Sequence, residues 1–221
     1  KTPELRRHQI FASSKSTTYA LVNTTILSTR SGGPMAGVWA TVHHLGREGY
    51  ERIARDTMDA TYKLCDAINA TGDLYVLGKP EFCMFSFASD TINVFELQDE
   101  IVKRGWYVQP QLSTDSSPHN LHVSMNLHCV PRIDEFIPVL HESLAAVKAN
   151  QGALQIETVR EQVNAMAASL SPEALAQLSS MAGIDGTDLP DRMAMLNSVL
   201  DSLPREMCDE LLIGYLNDAV R

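Results

Sequence analysis

A hydroxyl-rich, glycine-flanked turn that leads straight into an apolar helix is the feature that most constrains this chain. The turn spans residues 24–33 and carries one cation, Arg30, among its threonines and serines. Pro34 follows, and proline suits the first turn of a helix because its missing N–H has no partner there anyway. Free N–H groups at a helix N-terminus, together with hydroxyls and a cation, attract anions. The run therefore predicts an anion-binding site at the start of a helix.

Two helical segments are predicted after this turn. Apolar residues recur at helical spacing behind Pro34, and Gly46 and Gly49 then indicate a break or kink. A longer apolar pattern resumes at Tyr50 and continues to Ile68, where a threonine–glycine turn ends it. The first seventy residues are thus expected to hold the turn and a long, interrupted helix.

The middle of the chain alternates between strand and helix patterns. Asn93 is placed to cap a helix that Gly105 ends, and a last helix is expected over residues 133–148. Four strands with two helices packed on one face would form a small α+β layer. The strands are predicted at residues 74–77, 82–87, 106–108 and 121–126.

The remainder, residues 151–221, shows helical patterns throughout. Its helix starts are predicted at 171–173, 188–190 and 203–205, where a proline occupies an early helical position, and a turn is expected at 183–186. We therefore divide the chain into residues 1–70, 71–150 and 151–221. The third part is a helical extension to which the sequence assigns no role.

Composition excludes several classes of function. The net charge is −9 and the lysines and arginines are not clustered, which argues against a nucleic-acid surface. No run approaches the roughly 20 apolar residues that a membrane-spanning helix needs. The four cysteines are widely spaced, without a Cys-x-x-Cys pair, so reduced thiols and a cytoplasmic location are expected rather than a metal site.

Candidate reactive residues fail to form a catalytic set. His43 and His44 point about 100° apart on a helix and cannot share a metal. His119, His122 and His128 are too far apart along a strand to be joint ligands unless the strand bends. No Gly-x-Ser-x-Gly elbow, Walker loop or Gly-x-Gly-x-x-Gly run is present. The chain alone therefore has no predicted nucleophile, base or metal centre.

Four short sequence segments resemble segments of one known protein family. These are TILSTRSGG at 25–33, HLGREGY at 44–50, VLGKP at 76–80 and KRGWYVQPQL at 103–112. They are similar to segments of the pyridoxal-phosphate-dependent group II decarboxylases, and most of all to the sphingosine-phosphate lyase branch. The resemblance covers about two thirds of the chain, residues 1–148, and does not extend into the helical remainder.

This resemblance implies the C-terminal part of a fold-type-I α/β enzyme: the end of the large domain, the long connecting helix and the small α+β domain. It implies pyridoxal 5′-phosphate as cofactor, a homodimer, and loss of carboxylate or aldehyde from a small amine or amino-acid substrate. The Schiff-base lysine of the family is expected upstream of Lys1, so the chain alone would be inactive. The open alternative is a non-catalytic dimerisation or regulatory module derived from that fold.

The resemblance also implies where the cofactor phosphate is contacted. In the family, a serine before the motif arginine reaches the phosphate held by the other subunit, and Thr29 occupies that position here. Ser28 stands where glycine is usual, and Arg30 either pairs with the phosphate or ties the loop to the helix. Tyr19 matches a tyrosine that lines the substrate funnel, with packing of the dimer contact as its alternative role.

Overall fold

A computed structural model describes residues 2–12, 22–23, 30–150, 159, 161–163, 165, 183 and 188–219. The chain divides into two compact units, Lys1–Arg52 and Ile53–Arg221. The second unit contains the four-stranded sheet and the C-terminal helices.

The first unit contains a short helix, a two-stranded ribbon and the beginning of a long helix. Helix α1 (Pro3–Arg7) is capped by the Thr2 hydroxyl, which accepts from the N–H of Leu5. Strands β1 (Phe11–Ala12) and β2 (Val22–Asn23) pair antiparallel. Helix α2 spans Gly32–Asn69 and contributes its later turns to the second unit.

The predicted break in α2 is present, and it lies at Gly46. This residue has φ 60° and ψ −174°, a conformation open almost only to glycine. Gly49 continues the helix without a positive φ, so a single glycine accounts for the kink. The two predicted helical segments are therefore both present, and the non-helical backbone at Gly46 separates them.

The second unit is built on an antiparallel sheet in the order β3–β4–β6–β5. Phe85 and Phe87 face Val123 and Leu121 across the central pair and form its apolar face. The opposite face carries the more exposed Met84, Ser86, His122 and Ser124. The strands are β3 (Tyr75–Val76), β4 (Met84–Ala88), β5 (Gln109–Gln111) and β6 (Asn120–Ser124).

Two helices share the core with the apolar face of the sheet. Helix α3 (Val94–Lys103) begins as predicted, since the Asn93 side chain accepts from the N–H of Phe95 at 2.8 Å. A single 3₁₀ turn (Val130–Arg132) leads into α4 (Ile133–Ala149), which packs on α3. The α+β layer predicted from the sequence is confirmed.

Two helices follow in the C-terminal part. Helix α5 (Ala194–Ser202) packs on α3, and α6 (Arg205–Ala219) begins directly after Pro204, as predicted. A second core joins these helices to the helical residues Val159 and Val163. The start predicted at 171–173 lies outside the described residues, as does most of the turn at 183–186, in which Gly183 has φ 77°.

Two predicted elements are wrong. Residues 106–108 form no strand: the N–H of Trp106 bonds to the carbonyl of Ile101 and closes α3, and pairing begins only at Gln109. Pro110 is tolerated there because β5 is the edge of the sheet. Residues 188–190 start no helix, because the N–H groups that need a cap belong to Met193 and Ala194.

Candidate functional site

The predicted phosphate contact lies mostly outside the described residues. Tyr19, Ser28 and Thr29 belong to that group, so their assignments stay predictions. Arg30 is described, is exposed and has no hydrogen bond or ion pair to another described residue. Its two alternative roles, phosphate pairing and tying the loop to the helix, stay predictions.

The described start of α2 fits an anion such as a phosphate. Gly32 and Gly33 are the first residues of the helix, and a side chain at Gly32 would meet nothing within 4 Å. No acidic residue stands in the first turn to compete for the free N–H groups. Arg30 and Ser31 precede the helix and are both exposed. The Arg30 cation, the Ser31 hydroxyl and the free N–H groups of α2 are thus adjacent along the chain.

A separate concave site lies in the second unit. It is a cavity of about 300 Å³ between the segment that joins α3 to β5, the polar face of β6 and the start of α4. Its floor consists of the buried side chains of Leu64, Val108, Met125, Ile133 and Phe136. Concave, largely apolar sites with a few polar groups are typical of small-molecule binding.

Polar side chains of the sheet and of the 3₁₀ turn border this cavity. The His122 ring lies between two hydroxyls, with Nδ1 3.4 Å from Ser86 Oγ and Nε2 3.2 Å from Ser124 Oγ. The Tyr107 hydroxyl donates to Gln109 Oε1 at 2.9 Å, and both of these residues also line the cavity. This site was not predicted from the sequence, because its lining residues come from four separate segments of the chain.

Trp106 and Arg132 form another side of the cavity. The Arg132 guanidinium lies 4.3 Å from the centroid of the Trp106 ring, a cation–π distance, and its Nε donates to Glu135 Oε2 at 3.1 Å. Trp106 also contacts Phe136, with ring centroids 5.1 Å apart. Trp106 therefore packs against the main core and also lines the cavity.

The histidines make separate local contacts. The Nδ1 of His43 lies 2.8 Å from the Trp39 carbonyl, and the Nδ1 of His119 lies 3.4 Å from Asp201 Oδ2. Among the described residues, no group of three or more His, Cys, Asp and Glu side chains is placed to hold a metal ion.

Asp201 is a buried charge that the sequence did not reveal. Its side chain is 1% exposed, and it accepts from the N–H of Ser113 at 2.5 Å. Burial alone would raise the pKa of Asp201, but the His119 ring and the Ser113 N–H outweigh it and hold this pKa below its ordinary value. Arg205 donates to the Ser113 carbonyl. Residues at the end of α5 and the start of α6 therefore hydrogen-bond to the β5–β6 loop.

We expect Asp201→Asn to remove part of the acid sensitivity of folding. Because the folded pKa of Asp201 is lowered, its charge stabilises the fold above the ordinary aspartate pKa, and this contribution is lost as pH falls through the folded pKa. Urea unfolding at a series of acidic pH values should show a shallower decline for Asp201→Asn than for the wild type. Asp115→Asn, which changes an exposed aspartate of the β5–β6 loop, should leave the slope unchanged. An unchanged slope in Asp201→Asn would contradict the assignment.

Comparison with known proteins agrees with the resemblance seen in the sequence. Over 151 residues the chain is 32% identical to sphingosine-1-phosphate lyase of Arabidopsis thaliana, covering 68% of the chain and 27% of that protein. It is 31% identical over 115 residues to a probable L-tyrosine/L-aspartate decarboxylase of Methanosphaera stadtmanae, covering 52% and 28%. Residues 157–218 match the family model described as the C-terminal putative HTH domain of pyridoxal-dependent enzymes.

The solved structures lead to the same fold. The sphingosine-1-phosphate lyase of Burkholderia pseudomallei superposes with a TM-score of 0.56 at 26% identity, covering 76% of this chain and 37% of that one. The chain is similar to the C-terminal part of pyridoxal-phosphate-dependent lyases and decarboxylases. Glutamate decarboxylase of Lactobacillus brevis shares the fold, with a TM-score of 0.52 at 15% identity over 67% of this chain and 35% of that one.

The chain corresponds to only part of the related proteins. The chain spans about a quarter of the length of the curated relatives it matches. It has the fold-type-I architecture predicted from the sequence, and the pyridoxal cofactor of the family agrees with the predicted one. The helical remainder, to which the sequence assigned no role, coincides largely with the putative HTH domain. In the described ranges no helix has the length and apolar character to cross a membrane.

Proposed function

We propose that this chain is the C-terminal part of a pyridoxal-phosphate-dependent carboxy-lyase, which removes either the carboxylate, as carbon dioxide, or an aldehyde from an amine or amino-acid substrate. The observation that carries the proposal is the open, acid-free N-terminus of α2 behind Arg30, in a run that resembles the family's phosphate-contacting turn. The cofactor, when bound, supplies the electron sink for cleavage at the amine-bearing carbon. The Schiff-base lysine is proposed to lie upstream of Lys1.

The turn at 24–33 would bind the phosphate rather than perform chemistry. Thr29 Oγ1 would donate to a phosphate oxygen, Ser28 would shape the turn, and Arg30 would add a positive charge beside the N–H groups of α2. Tyr19 would line the path of the substrate. These side chains would serve the cofactor of the other subunit, so the assembly would be a homodimer.

An exposed apolar stripe on the first part of α2 supports the homodimer. Met35, Val38 and Trp39 are each more than 60% exposed, which is unusual for neighbouring large apolar side chains on one helix. A second copy of the chain, carrying the same stripe, would cover them in an isologous contact. The location we propose for the dimer is the cytoplasm, since none of the four cysteines is bonded in a disulfide.

The putative HTH domain is proposed not to bind nucleic acid. Helix α6 carries one arginine and four acidic residues, Glu206, Asp209, Glu210 and Asp218. A helix that enters the major groove needs cationic or neutral polar residues against the phosphates, and this charge would repel them.

The phosphate contact is tested in the protein encoded by the whole reading frame that contains this chain. Thr29→Ala should weaken pyridoxal-phosphate affinity about tenfold, since a hydrogen bond to a charged group is lost, while Thr29→Ser should retain it. Cofactor affinity is measured by titrating the apoprotein and following cofactor absorbance. Thr41→Ala, which removes a hydroxyl bonded within α2 at Gly37, is the matched control.

A second measurement distinguishes the proposed carboxy-lyase from the alternative, a non-catalytic dimerisation or regulatory module. The 221-residue chain, mixed with pyridoxal phosphate and reduced with borohydride, should show no adduct confined to one lysine by peptide mass mapping. A stoichiometric adduct at a single lysine would contradict the proposed position of the catalytic lysine. Absence of cofactor binding by the whole protein would overturn the lyase proposal and favour a dimerisation or regulatory module.

A further inference from the structure

The cavity in the second unit is a binding site in its own right. We propose that it takes a small carboxylate with an apolar body, separately from the cofactor turn in the first unit. Every described residue that lines the cavity belongs to the second unit, and none of the observations that support this site involves the turn at 24–33. The inference is therefore independent of the proposed lyase function.

The floor of the cavity favours an apolar ligand body. Leu64, Ile133 and Phe136 belong to the main core and are almost fully buried, yet they also line a space of about 300 Å³. Protein interiors are close-packed, and empty space beside core residues lowers stability. An apolar group placed there would gain the contacts that these side chains lack.

The polar border favours a negative head group. Among the described residues that line the cavity, Arg132 is the one with a permanent charge, and none carries a carboxylate. His122, Ser124 and Gln109 add hydrogen-bonding atoms beside it. A carboxylate at the mouth would accept from the Arg132 guanidinium, and an ammonium group would find no anionic partner among the lining residues that the structure describes.

Glu135 provides a second position at which the role of Arg132 can be tested. Glu135 lies outside the cavity lining, and its Oε2 is 3.1 Å from Arg132 Nε. Both side chains are largely exposed. An exposed ion pair of this kind adds little to stability, so either residue can be changed without unfolding the protein. Removing Glu135 would leave Arg132 free for the ligand, whereas removing Arg132 would delete the cation.

Trp106 supplies the signal for the test. The 221-residue chain has two tryptophans, and Trp39 is exposed on α2 in the first unit, so Trp39→Phe leaves Trp106 as the only tryptophan for selective excitation. In that background, octanoate should change the Trp106 emission saturably, with a Kd in about the millimolar range. Octylamine, of the same chain length and opposite charge, should give no saturable change.

Three variants and one control variant test the assignment. Arg132→Gln should weaken octanoate binding about tenfold, and Glu135→Gln should strengthen it. Ser124→Tyr should fill the mouth and abolish binding, while Met84→Tyr, at the position paired with Ser124 but outside the cavity, should not. Circular dichroism confirms that each variant is folded.

Several outcomes would overturn the proposal. These are an equal response to octylamine, no saturable response to octanoate, or octanoate binding that survives Arg132→Gln unchanged. If Ser124→Tyr does not fold, the opposite effects expected of Arg132→Gln and Glu135→Gln still decide it.

Discussion

Replacing Asp99 by alanine is expected to lower the free energy of unfolding by about 3 kcal/mol. The carboxylate, nearly fully buried in α3, accepts from the N–H of Met193 at 2.9 Å and of Ala194 at 3.1 Å, and from Arg192 Nε at 3.4 Å. Alanine would leave these N–H groups without an acceptor at the start of α5. Urea unfolding followed by circular dichroism measures the loss.

Two variants bracket the effect of Asp99→Ala. Asp99→Asn keeps one acceptor oxygen and should lose less than alanine does. Asp134→Ala removes an exposed carboxylate that pairs with Lys63 and should cost about 0.5 kcal/mol or less. Equal stability of Asp99→Ala and the wild type would show that α5 does not depend on this cap.

Phe87→Ala is expected to cost about 4 kcal/mol, the largest loss of stability from any single change considered for this chain. Phe87 is 0% exposed, lies in the central strand β4 and faces Leu121 of β6 in the main core. Removing the ring would open a cavity between the sheet and its helices. The midpoint of urea unfolding should fall sharply.

Phe82→Ala is the matched control for this change. Phe82 is the same residue type, two positions before β4, but 60% exposed, so its truncation should change stability by about 0.5 kcal/mol or less. Comparable losses in the two variants would contradict the placement of the core.

The elements with a strong local signal were predictable. Asn93 caps α3 as expected because its carboxamide bonds to an N–H two residues on, which depends on sequence neighbours alone. The kink at Gly46 was predictable for the same reason. By contrast, Trp106 and Val108 have strand-like character but pack into the core beyond α3, so pairing moves to Gln109. Tertiary packing overrode propensity there.

The sites depended on contacts that no local pattern reveals. Asp99 lies on a helix whose polar residues would ordinarily face water, and only the position of α5 turns it into a buried cap. Asp201 meets Ser113 across 88 positions of sequence. The cavity joins α2, β6 and α4, whereas the helix start behind Arg30 could be read from one continuous run.

The cap that Asp99 provides for α5 limits how independent the C-terminal helices can be. A segment cut at residues 157–218, the extent of the putative HTH domain, would carry α5 and α6 away without the carboxylate that completes the first turn of α5. If such a segment were transferred to another protein, it would need a host helix with an acidic residue at the docking position. The HTH segment and the α+β layer are thus expected to have been inherited together as one building block.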